Sequence, residues 1–113
     1  MTGVPAYAER GVSAPPEVAY GTAADPARRG TWLPAQLRQT TARPVDGGGE
    51  LQARWAAQDG SWSAVLRVYP AQAGGAMLRL ELDADLPHEQ LVRIADETLV
   101  GLVGAVTDNL NAG

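Results

Sequence analysis

The sequence predicts an α+β domain: a curved antiparallel sheet of about five strands wrapped around a long C-terminal helix, in the order β-α-α-β-β-β-β-α. Three observations lead there. Apolar and polar residues alternate through the middle of the chain, the pattern of strands with one face in water. Gly-rich and Asp-Gly turns separate the alternating stretches, as hairpins require. The last segment, "LPHEQLVRIADETLVGLVGAVTDNLNAG", repeats its apolar residues at helical spacing.

Each element has its own local cause. Residues Tyr7 to Val12 read as a first strand, stopped by Pro15-Pro16. Proline is tolerated in the first helical turn, so "PPEVAYGTAAD" reads as a helix from Pro15, with Glu17 in its positive first turn. Val18, Ala19 and Thr22 form its expected inner stripe. Asp25 is placed to cap a second, very short helix that starts at Pro26 and ends at Gly30. Pro34 forbids a simple continuation.

Four strand-like stretches follow: "QLRQTTARPV", "LQARWAA", "WSAVLRVYP" and "AMLRLELDAD". In the second, Leu51, Ala53 and Trp55 oppose Gln52 and Arg54. In the third, Trp62, Ala64, Leu66 and Val68 oppose Ser63 and Arg67. In the last, Leu78, Leu80 and Leu82 oppose Arg79, Glu81 and Asp83. The final helix spans about Pro87 to Asn111, roughly 35 Å. Leu91, Ile94, Ala95, Thr98, Leu99, Leu102, Val103, Val106 and Leu110 make its apolar arc, with Val100 the one large misfit. Gly101 and Gly104 each cost about 1 kcal/mol against Ala, which points either to a close approach of another element or to neutral drift in a helix held mainly by packing.

Composition narrows the function classes. A chain of 113 residues is one domain by size, residues 1–113. It has no Phe, so its core draws on Ala, Val and Leu with three Trp and three Tyr. All nine basic residues are Arg, scattered except for Arg28-Arg29, and the net charge is −4. A nucleic-acid binder is expected to show a basic face, so no nucleic-acid partner is expected. The absence of Cys excludes disulfides and thiolate chemistry. The start lacks a secretory leader pattern, and the longest apolar run, Leu99 to Val106, is too short to span a bilayer. A cytoplasmic location with no membrane span is the expectation.

The order of these features resembles a known family. A first strand, a helix ending in Asp25-Pro26, a short helix with Trp32 and a long amphipathic C-terminal helix resemble the START-related helix-grip proteins, the SRPBCC or polyketide cyclase-like superfamily, in a shortened version. The resemblance implies a sheet that grips the last helix, with a hydrophobic or aromatic small molecule held between them. It implies a polyketide cyclase-like activity or a carrier role, and it carries over no catalytic residue by position. Such folds usually have about seven strands and this chain has room for five. An empty apolar cavity costs about 24 cal/mol per Å³, so ~300 Å³, the low end for ligand sites, costs roughly 7 kcal/mol. Total stability is only about 5–15 kcal/mol. The cup is therefore expected to be filled by side chains, open to water or covered by a second subunit.

Few residues offer chemistry. His88 is the only histidine and falls in a helical first turn, so it reads as solvent-facing. Glu81, Asp83 and Asp85 alternate on one strand face, a pattern that can hold a hard cation. Sharing that face with Arg79, they read as a solvated surface, and no metal or other cofactor is expected. "DGGGE" lacks the Lys of a phosphate loop and reads as a turn. Ser13, Ser61 and Ser63 have no partners that mark a nucleophile. Arg54 and Arg67 lie on polar faces; pointed into the cup, either would orient an acidic ligand. Glu17 and Asp96 are the general acid–base candidates of a catalytic reading. The expected ligand-binding set is Trp32, Trp55, Trp62, Leu66, Leu80, Leu99 and Val103, with Trp32 and Leu33 as a lid or plug at the mouth. The rival expectation is an interaction module that forms a homodimer through its shortened sheet.

Overall fold

A computed structural model describes residues 5–38, 40, 43–44 and 51–112. The first strand, β1, is Ala6–Val12, followed by helix α1, Pro16–Ala24, and the four-residue helix α2, Arg29–Trp32. A 3-10 turn at Ala35–Leu37 leads to the two-residue segment β2, Arg43–Pro44. Strands β3 (Leu51–Ala56), β4 (Trp62–Pro70) and β5 (Ala76–Ala84) precede the long helix α3, His88–Ala112. The sheet is antiparallel throughout, in the order β1-β5-β4-β3-β2.

Four of these strands are full length, where five were expected. The described part of the stretch 36–45 departs from the prediction: it begins as a 3-10 turn closed by Leu37 N–H donating to Pro34 C=O (2.9 Å), and among the described residues only Arg43 and Pro44 pair with β3. Pro34 starts this turn, and buried Leu37 anchors it to the core. The expected glycine-rich turn over 46–50 lies outside the described residues.

The short second helix is also displaced. The Asp25 carboxylate accepts the Ala27 N–H (2.9 Å), so Asp25 closes a turn over 26–28 instead of capping a helix. Gly30 then sits inside α2 instead of ending it.

Register divides the sheet into two faces. Cα partners across antiparallel strands share a face, so Tyr7, Glu81, Val65 and Arg54 point one way and Ala8, Leu80, Leu66 and Ala53 the other. Leu66, Leu78, Leu80 and Leu82 are completely buried, as is the α3 stripe at Leu91, Ala95, Leu99, Leu102 and Val106. Helix α3 lies over β1 and β5, while α1 covers β3 and β4. One correction falls on the α3 arc: Leu110 is 44% exposed. A 25-residue helix runs about 37 Å, whereas a nine-residue strand runs only about 30 Å, so the last turn overshoots the sheet. Val100, the misfit, faces solvent at 50% exposure.

Gly101 explains itself in part. A Cβ there would touch the Trp32 Cα at 3.5 Å, so α2 crosses α3 at this glycine, while nothing approaches Gly104 within 4 Å. Among the described residues no helix is long and apolar enough to cross a membrane.

Candidate functional site

The inner face converges on a tryptophan pair. Trp32, at the end of α2, meets Trp55 of β3 edge to face, with centroids 5.2 Å apart and planes at 85°. This geometry sets the positive edge of one ring against the negative face of the other. Both rings are buried, as are Leu33, Leu66, Leu80 and Leu99, while Trp62 and Val103 are partly buried against the same cluster. The expected ligand-binding residues therefore share one apolar cluster between sheet and helices. That interior is filled by side chains. Trp32 and Leu33 lie inside the cluster, 4% and 1% exposed.

One polar atom in this cluster is unsatisfied. The Trp32 indole Nε1 is buried and has no hydrogen-bond acceptor among the described residues. A buried donor left unpaired costs about 1–3 kcal/mol, so the site carries a defect that an acceptor would repair.

A polar clasp closes the far side of α2. The Thr22 hydroxyl donates to Val18 C=O (2.8 Å) and accepts from the Asn109 side-chain amide (3.0 Å). Arg28 donates to Asn109 Oδ1 (3.0 Å) and lies 3.5 Å from the Asp25 carboxylate. Asn109, on α3, thus ties the segment that carries Trp32 to the last helix. Sequence reasoning missed it, because its partners lie more than eighty residues away in the chain.

The other candidates fall on the surface. His88, Asp85, Glu17 and Asp96 are exposed, and Arg10 donates to the Asp96 carboxylate at 3.1 Å. Arg54, Arg67, Glu81 and Asp83 lie on the outer sheet face, so neither arginine points into the cup. Arg79 stacks its guanidinium over the Tyr7 ring at 4.7 Å, and Tyr7 donates to Glu81 (3.3 Å). Ser61 is held by Asp59, Ser13 is exposed and Ser63 half-buried. Among the described residues no three His, Asp or Glu side chains gather as a metal site.

Among the described residues two surface cavities stand out, and neither is lined by α3. One, about 500 Å³, lies beside the β4–β5 turn at Gly11–Pro15. The larger, about 970 Å³, lies beyond β3 and includes Arg43 and Arg54.

A four-strand antiparallel sheet closed by one long C-terminal helix, with two short helices inserted after the first strand, is an arrangement shared with solved proteins. The NMR structure of KanY aligns with a TM-score of 0.65 at 17% identity, covering 95% of this chain and 99% of that one. A START superfamily protein from Mycobacterium smegmatis gives 0.63 at 15% identity, covering 97% and 99%. The chain shares the fold of these solved proteins. CalU16 from Micromonospora echinospora aligns at 0.53 and 17% identity, over 85% of this chain and 70% of that chain. The sequence matches no family model and no curated protein. At these identities the likeness concerns the fold alone. In sequence, the only signal for it was the order of Asp25-Pro26, Trp32 and the final apolar arc.

Proposed function

We propose that the chain binds a neutral apolar or aromatic small molecule between α3 and the inner face of the sheet, at the end where Trp32 meets Trp55. The observation that carries this reading is the buried, unpartnered Trp32 Nε1 beside a flat aromatic face. A ligand with a carbonyl or ether oxygen supplies the missing acceptor, and its ring stacks where an indole now packs. Trp62, Leu66 and Leu80 form the floor of this site on the sheet, and Leu99 and Val103 its wall on α3. Because the interior is filled, entry requires α2 to lift from Gly101, and the Asn109 clasp is the contact that gates it. No residue is assigned a catalytic role.

A neutral dimethylaminonaphthyl ketone, whose emission shifts to the blue on leaving water, tests the reading. Saturable one-to-one binding is expected. Trp32→Phe, which keeps the ring and removes the N–H, should weaken it by about three- to tenfold. Trp55→Ala should abolish it, with Trp55→Leu as the substitute if the alanine variant does not fold. Absence of saturable binding to the wild-type protein would overturn the proposal.

A second reading, a homodimer paired through the sheet, draws on β1, a seven-residue strand at the sheet edge. Unpaired edge strands recruit other strands unless charge or covering elements prevent it. Sedimentation at micromolar concentration decides this: a single monomeric species removes the dimer.

A further inference from the structure

Arg43 and Arg54 are Cα partners across β2 and β3, on the sheet face turned away from α3. Like charges placed directly opposite destabilise a sheet. Both side chains are exposed, and among the described residues neither has an ion pair or hydrogen bond. Arg10, Arg28, Arg38 and Arg79, by contrast, each have a partner. Arg67 is the cross-strand partner of Gln52 and so lies diagonally beside Arg54, adding to the same positive field. The chain as a whole carries a net charge of −4, so this concentration runs against its composition.

The two arginines line the larger cavity, whose volume of about 970 Å³ is at the upper end for small-molecule sites. Gln36, Thr40, Gln58 and Ser61 add polar groups around them, and Ala56 and Ala57 supply an apolar surface. Its one acid, Asp59, stays ionised but forms no ion pair with either arginine among the described residues. That carboxylate accepts both the Ser61 hydroxyl (2.6 Å) and the Ser61 N–H (2.9 Å).

We infer that this groove binds a small phosphomonoester, its phosphate between Arg43 and Arg54 and its apolar part on Ala56–Ala57. The number of acceptor oxygens sets the class. A phosphomonoester carries about −1.5 to −2 near neutrality and three terminal oxygens, enough to meet both guanidinium groups, whereas a carboxylate offers only two oxygens. Guanidinium forks bind phosphate oxygens in bidentate fashion, and two forks side by side can share its three terminal oxygens. This site lies apart from the Trp32–Trp55 pair: of its lining residues only Ala57 packs against that cluster, and none is in its buried core.

The test is an amide chemical-shift titration with phenyl phosphate, inorganic phosphate and benzoate at constant ionic strength. Saturable shifts are expected in the groove residues, with phenyl phosphate binding tightest and benzoate weakest. R43Q and R54Q should each raise the dissociation constant for phenyl phosphate about tenfold or more. R93Q, on the exposed side of α3, should leave it unchanged. Without ligand, R54Q should raise the Tm by removing the repulsion. Shifts that never saturate, a constant unaltered in R54Q, or benzoate binding as tightly as phenyl phosphate would each overturn the assignment. Both arginines are exposed, so the variants are expected to fold, and unchanged shifts outside the groove verify it.

Discussion

Ser61 donates two hydrogen bonds to one carboxylate oxygen of Asp59, at 2.6 and 2.9 Å, in the turn between β3 and β4. These bonds, the hydroxyl's first, hold the Asp59 pKa below the ordinary carboxylate value. A depressed folded pKa stabilises fully above the unfolded value, and the contribution fades as pH falls through the folded one. Carboxyl-carbon NMR should show Asp59 titrating below the normal carboxylates, and Ser61→Ala should move its midpoint upward. An unmoved midpoint would remove the hydroxyl as the cause. Gly75 is constrained by contact: a Cβ there would lie 2.9 Å from the Val12 carbonyl oxygen and 3.4 Å from that of Gln72. Gly75→Ala should therefore destabilise by roughly 1–3 kcal/mol, read as a lower urea midpoint with unchanged slope.

At the scale of elements, α3 follows its pattern closely. Leu99 has no exposed surface, so Leu99→Ala should cost about 2–5 kcal/mol. Val100→Ala, one residue along on the solvent side, should stay within about 0.5 kcal/mol. Paired thermal melts of the two variants check this, and similar losses would mean that the helix is rotated on the sheet. The strands were equally legible: alternation placed Trp55, Leu66 and Leu80 inward and Arg54 and Arg67 outward, because the pleat permits only two directions. The stretch 36–45 was not. Its apolar residues are sparse, and Pro34 with the tertiary anchoring of Leu37 won over weak strand propensity.

For the molecule as a whole, the weak point is the junction of α2 with α3. Trp32 packs over Gly101, and the clasp of Arg28, Asn109 and Thr22 holds the segment from the other side. Asn109→Ala removes both clasp bonds and should lower stability by about 1 kcal/mol, or roughly 4 °C in Tm. If α2 gates the interior, the same variant should also speed uptake of the naphthyl ketone probe. A lowered Tm with unchanged uptake would confine Asn109 to a structural role.

The sequence by itself determined the faces and the order of the elements, because pleat and helix periods translate spacing along the chain into direction in space. It did not determine what those faces meet. The Trp32–Trp55 contact, the Asn109 clasp and the juxtaposition of Arg43 with Arg54 were decided by strand register and by where α2 lands on α3. Those are non-local outcomes of packing, settled only when the whole core closes.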